Sequence, residues 1–545
     1  MEFTLFAPHV EKVELVGSWL ERPVPLEKDE GGTWRAEAEV PDGRHCYKFR
    51  LDSLSPFLDG ATVEVADPLA RAVDEASDDA SLLVVQGGRD VTTAPGYAWR
   101  HDGVPLPQDD ELVIYELHVG EFTHDGKTPG TFARLLEKLD YLRELGVNAL
   151  ELMPVKAYPG RNSWGYTPRH FTALENAYGT PEDFKRLVDE CHARGMRVIL
   201  DMVFNHSDDK APLAQIDFFY WYRDTREDEL YFGPKLDYER FDDTLGLFPA
   251  RKFAAEVAAY WAREYRVDGY RLDATYVIDN FDILHDLRRH AKEAAAGKPF
   301  YLVAEHLPEN PAVAGPDGPA DGAWHQRFEL QVVATLCEGE LRDHFYDPGK
   351  TLEALDPRNH GYAAPERVVH FLESHDEITL MRVLGDYGIT GDKALRKNKL
   401  GATLLFTAVG NPLLYQGQEF GGHRARKQEV RPLQWDLLGA DYGRALKEHY
   451  AFLARLRHGS PALKGAEMEP IHLDQEGGVI AYRRGYGEAE VLVVANLRDE
   501  DKALTIPFPD GRWRELTFGY DIDSAGGRLA DTFPASSAKI YVRRG

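Results

Sequence analysis

Cysteine is scarce in this chain. Three stand among 545 residues, Cys46, Cys191 and Cys337. They lie far apart, without the short spacings of a metal site or a disulfide framework. No apolar run reaches the ~18 residues of a membrane span. Met1-Glu2-Phe3-Thr4-Leu5-Phe6 lacks a basic segment followed by an apolar run, so no secretory leader is expected there and a cytoplasmic location is. Basic charge is short as well. Lys and Arg number 64 against 91 Asp and Glu, a formal net charge of −27. That sign argues against nucleic acid or an anionic membrane as partner and suits a neutral polar one. There is no 20–50-residue repeat and no low-complexity tract. Nothing in the sequence bears on oligomeric state.

What is present is apolar and aromatic. Hydrophobic residues make up 43%, with 26 Tyr, 26 Phe and 9 Trp. Such a composition supports a large core, and the length calls for two to four domains. Residues 1 to about 85 read as all-β. Phe3–Phe6, Val13–Val16, Trp34–Val40 and Tyr47–Arg50 are short strands separated by Gly- and Pro-bearing turns, the pattern of a small sandwich. For Trp19 and Trp34, packing is favoured over a sugar-binding face. Residues 86–110, rich in Gly, Asp and Pro, read as a linker.

Strands and helices then alternate. Leu112–Val119 is a strand, Phe132–Leu145 an amphipathic helix stopped by Gly146, and Val147–Val155 a second strand. Pro181–Arg194 is a helix stopped by Gly195, and Arg197–Val203 a third strand. A long acidic and aromatic excursion occupies about 207–250. After it come a helix over 251–266, a strand over Val267–Ala274, a helix over Phe281–Ala295 and a strand over Tyr301–Glu305. Phe328–Leu336 is read as a sixth strand, Val368–Leu372 as a seventh and Pro412–Tyr415 as an eighth. Eight strands alternating with helices predict a (β/α)8 barrel over about 111–460. From about 461 to 545 strands return, including Gly478–Arg484, Glu490–Asn496 and Ala538–Val542, as a second β-sandwich.

The barrel is organised around Val267-Asp268-Gly269-Tyr270-Arg271-Leu272-Asp273-Ala274. Side chains two apart on a strand share a face, so Arg271 can hold Asp273 ionised and aimed. A carboxylate nucleophile needs that arrangement. Other acids fall at strand ends: Asp201 on the third, Glu305 on the fifth, and His375-Asp376 just past the seventh. In a barrel those ends converge on one rim. Helix N-capping accounts for one or two such acids, not for an acid after each of several buried strands. Three converging carboxylates are the equipment of glycoside hydrolysis.

These residues carry a specific resemblance. The chain resembles the α-amylase superfamily, glycoside hydrolase family thirteen, over its whole length. Asp201-Met202-Val203-Phe204-Asn205-His206, the Arg271–Asp273 stretch, Val303-Ala304-Glu305 and Phe371-Leu372-Glu373-Ser374-His375-Asp376 are similar to its four ordered motifs. Trp164-Gly165-Tyr166 and Gly417-Gln418-Glu419 resemble its loops after strands two and eight. The resemblance implies Asp273 as nucleophile, Glu305 as general acid/base and Asp376 as the acid that holds sugar hydroxyls. It implies that Tyr166 stacks on the sugar, that His206 and His375 bond its hydroxyls, that Arg271 positions the nucleophile, and that Asp201 supports Arg271. The N-terminal sandwich resembles the glycogen-binding module of branching enzymes, isoamylases and trehalose-releasing hydrolases.

Departures shape the expectation. Tyr276-Val277 stand where calcium-dependent amylases commonly carry Lys-His, so no cofactor is expected, and calcium rests on Asn205 alone. Ala304-Glu305-His306-Leu307 departs from the Gly-Glu-Gly-Trp of debranching members. Ser374-His375-Asp376-Glu377 echoes branching enzymes, whereas Asn205-His206 does not. The expectation adopted is an endo-acting α-1,4-glucan hydrolase. A branching enzyme, a trehalose-releasing hydrolase and an inactive glucan-binding protein are the alternatives. Within the excursion, Tyr222, Tyr231 and Phe232 are expected to supply a substrate platform. Its acids Asp224, Glu227, Asp228, Glu229, Asp237, Asp242 and Asp243 are expected to be mostly solvated.

Overall fold

The computed structural model describes residues 1–160, 163–225, 227, 231–425 and 428–544. Its centre is a closed barrel of eight parallel strands in chain order. They are Ile114–Leu117, Ala149–Leu152, Arg197–Met202, Gly269–Leu272, Tyr301–Ala304, Gly322–Trp324, Val368–His370 and Asn411–Tyr415. Their inward positions alternate by two, as strand geometry requires. Ile114, Ala149, Ile199, Val303, Trp324, Val369 and Leu413 pack an apolar plug inside the barrel. Two residues further along their strands, the same inward phase carries Glu116, Glu151, Asp201 and Arg271, all buried. The barrel interior therefore changes from hydrocarbon to ion pairs on approaching its C-terminal rim. Gly269 makes the fourth strand possible. A Cβ there would stand 2.4 Å from the Tyr301 carbonyl oxygen of the neighbouring strand.

The barrel expected from the sequence is present, with two local corrections. Phe328–Leu336 is not the sixth strand. It lies within a helix, Gln326–Cys337, and the strand is the shorter Gly322–Trp324 before it. Phe328, Val332 and Leu336 recur at helical spacing and are all buried. The helix expected over Phe132–Leu145 is two, Phe132–Leu136 and Leu139–Leu145, broken at Glu137-Lys138. The second ends on Gly146 at φ 97°, a left-handed cap that glycine adopts without strain.

The N-terminal module packs Phe3, Leu5, Val13, Leu15, Trp34, Phe49 and Leu51 around Ile216, which comes from the excursion after the third barrel strand. Leu54 donates its amide to the Ile216 carbonyl at 2.8 Å, and the Ser53 hydroxyl bonds the Gln215 carbonyl at 2.6 Å. This module therefore braces the excursion. Trp34 is buried, its indole N–H donating to the Ala7 carbonyl at 2.9 Å, and Trp19 stacks on Phe3. Both tryptophans serve packing, as favoured. Within 86–110, Arg89–Asp90 still pairs with Gln86 and Val85. The backbone amides of Arg100 and His101 bond Asp189 on a barrel helix. At the other end a six-stranded sheet and a two-stranded ribbon close over Val479, Leu492, Trp513 and Tyr541. Among the described residues no helix is long and apolar enough to cross a membrane.

Candidate active site

The fourth strand ends by delivering Arg271 and Asp273 to the rim. Arg271 is fully buried. Its Nη1 donates to Asp201 Oδ1 and Oδ2 at 3.0 and 2.9 Å and to Asp273 Oδ1 at 2.8 Å. Its Nη2 lies 2.9 Å from Glu305 Oε2. The guanidinium also sits 4.6 Å from the centre of the Trp324 ring. One cation therefore binds three carboxylates from three successive strands. Its charge is held firmly, because the attraction of Asp201 and Glu305 outweighs the opposing effect of burial.

Asp273 and Glu305 are tied further. Asn205 Nδ2 donates to Asp273 Oδ2 at 2.8 Å, and the Ala274 amide donates to Glu305 Oε2 at 2.7 Å. Ala274 takes φ 42°, a left-handed conformation costly for a residue with a Cβ. It turns the chain sharply after Asp273 and aims that amide at Glu305. Burial pushes the Glu305 carboxyl up to about 7. Arg271 opposes this, and the charges of Asp273 and Asp376 add to it. Glu305 is thus poised to exchange a proton near neutral pH.

The seventh strand leads into Ser374-His375-Asp376. His375 Nε2 is 3.0 Å from Asp376 Oδ2 and Nδ1 is 2.5 Å from Glu116 Oε1. Burial works against a charged ring, yet Asp376 and Glu116 on either side hold it protonated well above the usual histidine range. Tyr166 stacks on the same imidazole, 5.0 Å between centroids and 15° between planes, and donates its hydroxyl to Asp201 Oδ2 at 2.6 Å. His206 Nε2 is buried without a hydrogen-bond partner. Tyr166, His206, Asp273, Glu305, His375 and Asp376 line one cavity of about 400 Å³, with Trp164 and Phe232 as further walls.

All eight residues singled out from the sequence are thus brought together: Asp273, Glu305, Asp376, Tyr166, His206 and His375 around the cavity, Arg271 and Asp201 beneath it. The platform expectation divides. Phe232 is 52% exposed and stands 6.0 Å from the His206 ring. Tyr222 is only 1% exposed. Its ring packs on Phe218 and its hydroxyl bonds Ser207, so it is core and not a platform. Tyr231 is half-buried and donates to Asp209 Oδ1 at 2.5 Å. Among the acids, Asp224, Glu227 and Asp243 are exposed, and Asp242 serves a turn through the Thr244 and Leu245 amides. Asp228 and Glu229 lie outside the described residues.

Sequence reasoning missed Glu116 and Glu151. Both are single acids at inward positions of otherwise apolar strands, and that was the readable signal. Asn205, the residue on which calcium rested, gives its Nδ2 to Asp273 and meets His206 Nδ1 with its Oδ1. Among the described residues no cluster of three or more His, Cys, Asp or Glu side chains is arranged to hold a metal.

The same residues fall inside a recognisable family. The model of the alpha amylase catalytic domain matches residues 120–243 and 220–444. The chain belongs to the alpha-amylase family. Carbohydrate-binding module 48, the isoamylase N-terminal domain, matches residues 1–70 of this family member, and the alpha amylase C-terminal all-beta domain matches residues 471–537. It is similar to the malto-oligosyltrehalose trehalohydrolase of Saccharolobus solfataricus, 29% identical over 77% of this chain and 73% of that one. It is also similar to the 1,4-alpha-glucan branching enzyme of Nitrobacter winogradskyi, 29% identical over 94% of this chain and 75% of that one. A pullulanase from an Anoxybacillus species shares the fold, with a TM-score of 0.82 at 20% identity over 100% of this chain and 84% of that one.

Proposed function

We propose that this α-amylase-family enzyme cleaves α-1,4-glucosidic bonds of starch-, glycogen- or maltooligosaccharide-type glucans through a glycosyl-enzyme, with water as acceptor. The observation that carries the reading is the sharing of one guanidinium by Asp273 and Glu305. Two carboxyls on neighbouring nitrogens of one Arg suit the ~5–5.5 Å spacing of a retaining pair, not the ~6.5–9.5 Å that leaves room for a water between them.

In this mechanism Asp273 attacks the anomeric carbon while Glu305 gives its proton to the departing glycosidic oxygen. Glu305 then takes a proton from water as water displaces Asp273 and the carboxylate is regenerated. The pKa of about 7 suits both duties. Asp376, with 37% of its side chain open to the cleft, bonds ring hydroxyls as the sugar flattens. His206 Nε2, which has no partner in the protein, bonds a hydroxyl beside it, His375 backs Asp376, and Tyr166 covers an apolar sugar face. The three unpaired cysteines support a reducing, cytoplasmic setting.

The similarity to branching enzymes favours one competing reading, in which a sugar 6-hydroxyl replaces water. Incubation with amylose separates the two. Hydrolysis raises reducing ends with no new branch points. Transfer raises branch points with reducing ends nearly constant. Trehalose released from malto-oligosyltrehalose would instead place the enzyme with the trehalohydrolases.

A further inference from the structure

Glu116 is the acid nearest the machinery that has no place in the mechanism above. It sits on the inner face of the first barrel strand, 1% exposed, two residues beyond the apolar plug. Burying a carboxylate there is costly unless it is paired. Both of its oxygens engage one residue. Oε1 is 2.5 Å from His375 Nδ1, and Oε2 accepts the His375 backbone amide at 3.1 Å. The two hydrogen bonds fix the position and the tilt of the imidazole together. On the far side of the ring, Nε2 meets Asp376 Oδ2 at 3.0 Å. A ring nitrogen facing a carboxylate donates to it only if it carries hydrogen. Carboxylates at both nitrogens require hydrogen on both, so the ring is an imidazolium.

We propose that Glu116 is a positioning residue that acts through His375 on Asp376: it holds a fixed cation against the acid that grips the reacting sugar. The proposal rests on the retaining reading only for the role of Asp376. In a site with so many carboxyls, a fixed cation keeps Asp376 oriented before the sugar arrives. A preset charge costs no reorganisation when positive charge develops on the sugar ring. The other groups around His375 agree with this assignment. Glu151 lies opposite Glu116 in strand register, and neither of its carboxyl oxygens has a hydrogen-bond partner. Burial, with the Glu116 charge adding to it, drives the Glu151 carboxyl toward its neutral form. Asp201 faces Arg271, with which it is ion-paired. His118 is held neutral by burial and by the His375 charge. Tyr415, beside Glu116, is pushed far up by burial and keeps its proton. That leaves Glu116 and Asp376 as the two carboxyls that face the His375 ring nitrogens.

The test is a double-variant cycle on maltoheptaose hydrolysis. Glu116→Gln preserves shape and removes charge. It should lower kcat by about ten- to hundredfold with KM nearly unchanged. The loss should be smaller at pH 5.5 than at pH 8, because solvent protonates the ring at low pH. In a His375→Gln background, Glu116→Gln should cost less than about twofold, since the route through His375 is already gone. Losses that multiply in the double variant, or a single variant with wild-type kcat at pH 8, overturn the proposal. Should Glu116→Gln not fold, ¹⁵N shifts of the wild-type enzyme decide. Both His375 nitrogens must be protonated at pH 7, and a neutral ring refutes the idea. Inactivation by Asp273→Asn is a separate result and bears on the reaction itself.

Discussion

Replacing Glu305 with Gln should inactivate the enzyme and stabilise it. The carboxyl is buried beside Asp273 and Asp376 and is held at about 7, against a usual value of 4.5. At 1.36 kcal/mol per unit of pKa, that difference corresponds to about 3 kcal/mol. The sign follows from which state ionises first. Below pH 4.5 both folded and unfolded chains carry the proton, and nothing is lost. Between 4.5 and 7 the unfolded chain ionises while the native one resists, so stability falls as pH rises. Above 7 the full penalty is present. A glutamine never ionises, so the variant should match wild type at pH 4 and exceed it by up to about 3 kcal/mol at pH 8, seen as a rise of a few degrees in Tm. Arg271 keeps its bonds to Asp201 and Asp273 in the variant and is not left unpaired. Turnover of soluble starch, measured as reducing ends, should fall by roughly three orders of magnitude or more, as when a catalytic group is removed from other enzymes. Scanning calorimetry at pH 4 and pH 8 beside the starch assay reads both effects. A variant that keeps wild-type turnover, or that is no more stable than wild type at pH 8, would refute the assignment of Glu305 as the acid whose carboxyl is pushed up by burial.

Asp273→Asn should fold with unchanged circular dichroism and lose turnover by a comparable factor, and near-normal starch hydrolysis would exclude it as nucleophile. The pH–rate profile should be bell-shaped, its alkaline limb falling through about 7 as Glu305 loses its proton. On a substrate with an activated leaving group that limb should vanish in Glu305→Gln, and a limb unchanged there would assign it to another residue. Phe232→Ala should weaken hydrolysis of long glucans more than of short ones, because its exposed ring walls the cavity where a sugar face can pack on it. Tyr222→Ala should cost about 3–5 kcal/mol of stability without a chain-length effect, since its ring is core. Kinetics on maltotriose and amylose, with urea denaturation, distinguish the two residues.

The barrel and its catalytic rim were legible because two periodicities carry them. Strands such as Arg197–Met202 carry an apolar run, Val198–Leu200, followed at once by an acid, and the helices between them bury one face. The strand read at Phe328–Leu336 failed where the signal was weakest. A three-residue strand, Gly322–Trp324, leaves almost no pattern, while Val332-Val333 inside the following helix mimics one. Tyr222 failed for another reason. An aromatic in a polar loop looks available until the fold shows what packs on it, here Phe218 and Ser207. Glu116 escaped notice because its partner, His375, is 259 residues away in the chain. Only barrel closure brings the first strand beside the seventh-strand loop. Motifs written along one strand are readable from sequence, whereas pairs made across the barrel are not.

The account stands or falls on a covalent bond to Asp273. An α-glucosyl fluoride leaves without help from an acid, so Glu305→Gln enzyme should still be glucosylated by it. The same variant lacks the base for the second step, and the adduct should accumulate. Mass spectrometry of quenched, digested enzyme should then find one hexose on the peptide carrying Asp273. An unmodified peptide from enzyme that still turns the fluoride over, or a hexose on any other carboxylate, would contradict the mechanism.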